Sequence, residues 1–593
     1  MAYGFTPEER AELDGRARAI LEACPDVGTF IRCALARDSE RETLVYLRTA
    51  LDPSPVVTRA GEFLGLLEAS RLWLRRNGVG PGDVVAVLAP NVTATSVAYW
   101  AAMSFAVVQP LNLLFSREAV AAQLAAAKAK LVFVPPPGLP GGLYEKAEGF
   151  APTVVLPMDG RVAFGDEALA PAAPNEKPEA AAPDALAALL PTGGTTGVPK
   201  IVPFTHRNIV ASATASMLAA DMGPRDRWLI ALPLFHVGGA FCGSLAALGA
   251  GATMILPTAA GFRNPAVVAN FWRIVEAQRI TGSGLVPTAV GAAAAADASG
   301  SDLSSLRLFA TGASVCPPEI EKRFLSVWPG DCVRQIYGMT ESSGAITNTP
   351  WNRAQRPGSA GLPAALVEVA VLSDGAIHRG PSPTGEILAR GPQMFSGYLD
   401  KRQSGATFHE GWLMTGDLGR IGEDGELYVT GRVKDVIIRS GHNIDPTAIE
   451  DVALRFPGVA LAAAVGRPDS YAGETPMLFV TPSPAATVDA AALAAFVAER
   501  VIEAPARPRA IAAIGEMPMT PAGKIFKPRL REIAAEAAAR EALATALPGD
   551  AFEVAAAHDE RGLVVTARVP EGSAAAARTT LGAFPTRFEV VPR

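Results

Sequence analysis

The 593-residue sequence is poor in charge and in cysteine, and it lacks any long unbroken apolar run. Charged residues make up 19% of it and the formal net charge is -6. No polyanion-binding surface follows from such a balance, so nucleic acid is not an expected partner. The five cysteines, Cys24, Cys33, Cys242, Cys316 and Cys332, are odd in number and far apart, with no Cys-x-x-Cys pair and no neighbouring histidines. A disulfide framework and a cysteine metal site are therefore not expected, and reduced thiols in a cytoplasmic protein fit best. The N-terminus has no basic start followed by an apolar run, and it reads as an amphipathic helix where a signal peptide would show neither acid nor gap. Two charge-free stretches, 84–116 and 228–262, come nearest to membrane spans. Pro90, Asn91, Pro110 and Asn112 break the first, and Pro233, Pro257 and several glycines break the second. Neither supplies the roughly 20 apolar residues that a span needs, so both read as buried strands and helices.

What is present is a large apolar inventory, 49% of the residues, in a chain long enough for about four domain-sized units. Short apolar runs such as Val84-Val85-Ala86-Val87-Leu88, Leu131-Val132-Phe133-Val134, Thr153-Val154-Val155-Leu156 and Thr253-Met254-Ile255-Leu256 alternate with helical patterns. Strands apolar throughout, with helices between them, predict a mostly parallel α/β sheet covered on both faces. An Ala- and Pro-rich stretch, 168–183, reads as a surface loop delivering a strand at 186–190. The strand leads into Pro191-Thr192-Gly193-Gly194-Thr195-Thr196-Gly197-Val198-Pro199-Lys200. Glycines free to turn backbone N–H groups inward, hydroxyl donors beside them and one terminal cation suit a polyphosphate, against the plainer reading of a surface turn. No Gly-Lys-Ser/Thr closes the loop, so it is not the common P-loop. The texture changes at Gly431-Arg432-Val433-Lys434-Asp435, where a domain boundary is expected. Beyond it come a small α/β set, an Ala-rich helix at 530–546, and a ββαβ-type appendage.

In order along the chain stand the phosphate loop, Leu232-Pro233-Leu234-Phe235-His236, Tyr337-Gly338-Met339-Thr340-Glu341-Ser342, Thr415-Gly416-Asp417-Leu418, Gly431-Arg432-Val433-Lys434-Asp435, Ser440-Gly441-His442-Asn443 and Pro521-Ala522-Gly523-Lys524. With this ordered set the sequence resembles the superfamily of adenylate-forming (AMP-binding) enzymes over about residues 58–530, and within it the acyl-CoA synthetase branch. The resemblance implies a large N-terminal domain of mostly parallel sheets, residues 1–431, a smaller mobile C-terminal α/β domain, 432–547, and an appendage, 548–593. It also implies two half-reactions: a carboxylate attacks the α-phosphate of ATP to give an acyl adenylate and pyrophosphate, then the thiol of CoA displaces AMP. Charge builds on phosphoryl oxygens, so cations and fixed donors are the catalysts to look for. Thr192, Gly193, Gly194, Thr195, Thr196 and Gly197 can donate to the β- and γ-phosphates, with Lys200 as a further cation; Gly193 stands where many members have serine. Glu341 is the candidate Mg2+ ligand, with Thr340 beside it for metal or α-phosphate. Tyr337 and Gly338 offer a face to adenine opposite Gly312, Ala313 and Ser314, and Gln335 an edge contact. Asp417 suits the ribose hydroxyls and Arg432 the ribose or phosphate. Lys524 is the expected catalytic cation of the first half-reaction, reachable only if the small domain closes over the large one. The small domain is expected to turn about Lys434, after which Gly441 lines the thiol's path, where a Cβ would protrude. Asn443 departs from the basic residue that some CoA-forming members carry.

His236 matches the residue that gates the acyl pocket, with Cys242, Val286, Thr288, Thr311, Gly312, Gly338, Met339 and Ser343 as further wall candidates. Gly238, Gly239 and Gly338 leave room, and a medium-to-long aliphatic, alicyclic or aryl acid is expected. Nothing acidic lies between His236 and Ser244, which disfavours an amino acid, whose ammonium would be buried unpaired. Gly312-Ala313-Ser314-Val315-Cys316 begins like a hydrolase elbow but ends in Cys without a placed histidine, and Gly249-Ala250-Gly251 completes no dinucleotide fingerprint. Two rival readings stay open. One is an acyl-AMP ligase that hands its acyl group to a carrier protein, and the other a nucleotide-binding protein without turnover. A homodimer is compatible with each.

Overall fold

The computed structural model describes residues 5–172, 180–192, 200–314, 316–328, 330, 333–405, 407–432, 435–440, 442–483, 486–501, 503–520, 523–559 and 562–593. Of the expected site residues, Gly193, Gly194, Thr195, Thr196, Gly197, Lys434 and Gly441 lie outside them.

The short apolar runs become the strands of two large sheets. In the first, the order is Ile201–Thr205, Leu186–Pro191, Val107–Pro110, Val84–Val87, Ala129–Val134 and Thr153–Val155, parallel except for the edge strand Ile201–Thr205. The second runs Leu362–Pro363, Gly344–Asn348, Arg334–Met339, Leu308–Gly312, Gly282–Leu285, Arg227–Leu229, Thr253–Pro257, Glu42–Leu47 and Val56–Arg59, with its inner pairs parallel. Val84–Val87 is buried at every position, as a strand covered on both faces must be. Helix Thr93–Phe105 is apolar nearly all round and buries Tyr99 and Trp100 completely, which makes it an interior helix rather than a membrane one. It shares one core with Val85 and Val87 of the first sheet and Met254 and Leu256 of the second. Among the described residues no helix is long and apolar enough to cross a membrane.

A third sheet departs from the parallel expectation. Glu368–Ser373, Gly385–Arg390, Trp412–Ile421 and Leu427–Arg432 pair antiparallel throughout. Along Trp412–Ile421 burial largely alternates, because one face packs on the core and the other meets the solvent side. The sheet sets Asp417 directly opposite Arg432.

Beyond residue 435 a smaller sheet is built on the long hairpin Val459–Asp469/Gly473–Pro482, with Pro446–Leu454 and Ala490–Arg500 on one side and Lys527–Ala546 on the other. The last residues form the expected ββαβ unit: hairpin Glu553–Asp559/Gly562–Val569, helix Ala574–Leu581, and strand Arg587–Pro592 parallel to the second hairpin strand. Its core closes on Ala535, Ala539 and Leu543 of helix Lys527–Ala546.

Candidate active site

The ends of the phosphate loop are held as a hairpin. Pro191 pairs with Ile201, Leu190 with Val202, and the Thr192 N–H donates to the Lys200 carbonyl at 2.8 Å. This strand–loop–strand frame differs from the strand–loop–helix of a P-loop. Lys200 stands at the exit, its Nζ 4.3 Å from the centre of the Tyr398 ring and 3.4 Å from the Gln403 carbonyl. A cation over an aromatic face in this geometry is held by the ring quadrupole.

Glu341 lies in the short 3-10 turn Thr340–Ser342 and is 8% exposed. Its carbonyl accepts from the Phe395 N–H at 2.9 Å and its Oε1 accepts from the Tyr398 hydroxyl at 2.6 Å. Burial and the neighbouring Glu341 both push the Tyr398 phenol far up, so it stays a donor. Among the described residues no cluster of three or more His, Cys, Asp or Glu could hold a metal ion. A single buried carboxylate with Oε2 left over suits Mg2+, which keeps several waters and takes phosphate oxygens for the rest of its octahedron.

Strand Arg334–Met339 carries Gln335, Tyr337 and Gly338, next to Leu308–Gly312 with Gly312 at its end. Gly312 is required by that neighbour: a Cβ there would lie 2.6 Å from the Ile336 carbonyl oxygen. Ala313 follows at φ +73°, a left-handed backbone that costs an alanine about 1–2 kcal/mol. Such strain concentrates at ligand sites. The Tyr337 hydroxyl donates to Asp417 Oδ2 at 2.8 Å, and Arg432 Nε to Oδ1 at 2.7 Å. Burial, with Asp417 next, pushes the Tyr337 phenol well above its ordinary value. Asp417 thus has one fixed donor on each oxygen and one lone pair left on each, enough for two ribose hydroxyls.

On the acid side, Gly238 N–H donates to Nδ1 of His236 at 3.1 Å, which leaves the ring proton on Nε2. Burial and then the charge of Lys524 push the imidazole down to about 3, so it is neutral. Asn91 grips the segment from behind: its Nδ2 donates to the Leu232 carbonyl at 3.1 Å and its Oδ1 accepts from Leu234 N–H at 3.2 Å. After His236 the chain forms a π-helix, Gly238–Leu245, a wide turn common at functional sites. Cys242 on it sits 3.9 Å from Ser212 Oγ, its thiol pushed up by burial.

Lys524 reaches this same place. Its pKa is pushed down to about 8 by burial and then by Arg432, against the opposite pull of Asp417 and Glu341. The loop before it is closed on itself: Thr520 N–H donates to the Lys524 carbonyl at 2.6 Å, Lys524 N–H to Thr520 Oγ1 at 3.0 Å, and Gly523 N–H to the Thr520 carbonyl at 2.9 Å. The small unit is therefore closed over the large one, with Lys524 toward Glu341, Asp417, Arg432 and His236.

Four of the residues expected around the acid have close partners of their own. Of the wall candidates Thr288 and Val286, the Thr288 hydroxyl donates to the Gly523 carbonyl at 2.8 Å and Val286 Cγ2 would lie 3.0 Å from a Gly523 Cβ. At Gly239 and Gly338, two of the glycines expected to leave room, an added Cβ would stand 2.3 Å from the Pro233 oxygen and 1.8 Å from the Gly344 oxygen. Close chain crossings thus require glycine at both positions. Tyr398 and Asn91 escaped the sequence reading. Their only signals were a tyrosine shortly after a glycine and an asparagine after a proline, both of which read as turns.

Comparison with known proteins agrees with this geometry. Residues 68–399 match the family model described as AMP-binding enzyme, and 448–524 match the AMP-binding enzyme C-terminal domain. A marinolic acid–CoA ligase of Pseudoalteromonas is 37% identical over 57% of this chain, which spans only 53% of that relative's length. A sulfoacetate–CoA ligase of Cupriavidus necator is 33% identical over 76% of this chain and 88% of its own. ATP-bound MatB of Rhodopseudomonas palustris superposes with a TM-score of 0.75 at 25% identity, covering 86% of this chain and all of MatB.

Proposed function

This chain belongs to the AMP-binding enzyme family, and from that premise we propose that it is an ATP-dependent acyl-CoA synthetase. The carboxylate of the acid attacks the α-phosphorus of ATP, the bond from that phosphorus to the α,β-bridging oxygen breaks, and pyrophosphate departs with that oxygen. The sulfur of CoA then attacks the acyl carbonyl, AMP leaves, and the thiol proton passes to solvent. The observation that carries this reading is Lys524, set beside Asp417, Arg432 and Glu341 and against the neutral His236.

The proposed roles are these. Lys524 places a positive charge where the α-phosphate oxygens gain negative charge, and removing such a stabiliser costs about 10²–10³ in rate. Asp417, held by Tyr337 and Arg432, takes the ribose hydroxyls. Ala313 and the backbone about it pack on adenine. Thr192 and Lys200 bracket the β- and γ-phosphates. Glu341 would hold Mg2+, which neutralises charge between the phosphates when bound. The proposed domains are 1–431, 432–547 and 548–593, with the hinge assigned to Lys434 and the thiol path to Gly441, both outside the described residues.

The acid is proposed to be a medium-to-long aliphatic, alicyclic or aryl acid. A neutral imidazole, the protonated Cys242 thiol and Met339 offer no charge to pair with a second ionic group on the substrate. CoA is favoured over a carrier protein as acceptor because the ligase relatives named above are CoA ligases. The scattered thiols support a cytoplasmic setting. The test is a panel of fatty and aromatic acids with MgATP, scored for acid-dependent pyrophosphate exchange and for thioester formation with CoA. Exchange and thioester with the same acid are expected; no exchange with any acid in a folded sample would refute an enzyme. Adenylate consumed by a carrier protein but not by CoA would refute the acceptor.

A further inference from the structure

Lysine is a long, flexible cation, and aiming it costs side-chain entropy, the more so where its base is not fixed. Here the base is a loop closed on itself by three backbone and hydroxyl bonds between Thr520, Gly523 and Lys524, extended by the bridge Met519↔Ile525. A loop so tied behaves as one body, and one outside contact can orient all of it. That contact is Thr288, the second residue of helix Pro287–Ala295, 235 positions earlier in the chain, whose hydroxyl donates to the Gly523 carbonyl at 2.8 Å. Gly523 has φ +81°, and a Cβ on it would come within 3.0 Å of Val286 Cγ2, so the loop sits flush on Val286-Pro287-Thr288.

We propose that Thr288 is a positioning residue for the first half-reaction: by seating the Gly523 carbonyl it fixes the direction in which Lys524 leaves the backbone. This rests on the acyl-CoA synthetase reading. It also makes Thr288 specific to adenylation, because the thiol step needs Lys524 withdrawn and the seat vacated.

Thr288→Val removes the hydroxyl and keeps the volume. Acid-dependent pyrophosphate exchange in the full-length enzyme should lose about 3- to 10-fold in kcat, the range that one net hydrogen bond supports, with the KM of the acid unchanged. Thioester formation from CoA and a chemically made acyl adenylate should keep its rate, and Thr288→Ser should restore exchange. Thr288→Ala provides the same comparison should the valine variant not fold. Equal losses in both half-reactions would overturn the proposal, as would a shifted acid KM at constant kcat, the mark of a pocket wall. Failure of the unsubstituted enzyme to exchange pyrophosphate with any acid would instead remove the function on which the proposal stands.

Discussion

The Tyr398 hydroxyl lies 2.6 Å from Oε1 of Glu341, and the other face of the relationship is Lys200, 4.3 Å above the Tyr398 ring. One side chain thus ties the candidate metal ligand to the exit of the phosphate loop. The tie is reinforced by backbone bonds from Phe395 to Glu341 and from Leu399 to Ile201, both 2.9 Å. Glu341 is thereby held with one oxygen engaged and one available.

Tyr398→Phe should loosen that carboxylate without removing it. Pyrophosphate exchange is expected to need about 3- to 10-fold more Mg2+ for half-saturation, in line with the about 0.5–1.5 kcal/mol that one net hydrogen bond is worth. Titration of exchange rate against Mg2+ at fixed ATP checks this. An unchanged Mg2+ requirement would show that Tyr398 only fills space.

The depressed pKa of Lys524 sets a pH dependence. The ammonium is the active form and is present below about 8, so kcat/KM for exchange should fall tenfold per unit as pH rises past that value. Bound triphosphate favours the charged form, so the limb in kcat should lie at higher pH than the limb in kcat/KM. His236, pushed down to about 3, stays neutral and should add no limb between pH 5 and 8. Paired pH profiles for the enzyme and its Lys524→Gln variant decide it; a persistent alkaline limb in the variant would assign that limb elsewhere.

Asn91→Ala removes two bonds from the Leu232-Pro233-Leu234 segment and leaves the Leu232 carbonyl and Leu234 N–H without that partner. A loss of about 1–3 kcal/mol in stability is expected. Because that segment carries His236, the KM of the acid should rise more than the KM of ATP. Thermal unfolding and steady-state constants for both substrates test it. An ATP effect as large as the acid effect would contradict the local role.

Much of this site could be read in the sequence, and the parts that could not share a cause. Short runs such as Val84 to Val87 and Thr253 to Pro257 announce themselves by continuous apolarity, since burial on both faces demands it. Glu341, Asp417, Arg432 and Lys524 sit in motifs whose order carried them. The hydrogen bonds of Asn91, Tyr398 and Thr288 act across 141, 57 and 235 positions, and no local period encodes a single long-range hydrogen bond. Strand Trp412–Ile421 was missed as antiparallel for a different reason. Its buried face carries Thr415, Asp417 and Gly419 while Met414 and Leu418 lie on the other face, so no apolar alternation announces one buried face.

Glycine supplies the sharpest stability prediction. A Cβ on Gly338 would lie 1.8 Å from the Gly344 oxygen and 3.0 Å from the Ala345 Cα, all backbone, at the point where strand Arg334–Met339 bulges against Gly344–Asn348. Neither strand can yield without moving Tyr337 on one side and Glu341 on the other. Gly338→Ala should therefore destabilise the protein by about 1–3 kcal/mol, the usual cost of forcing atoms into a filled core, and should abolish exchange in whatever remains folded. Gly284→Ala, two strands away in the same sheet with open space at its Cβ position, should leave the melting temperature within a few degrees of the parent. Thermal unfolding of the pair measures the difference; equal melting temperatures would show that the crossing is looser than these distances require.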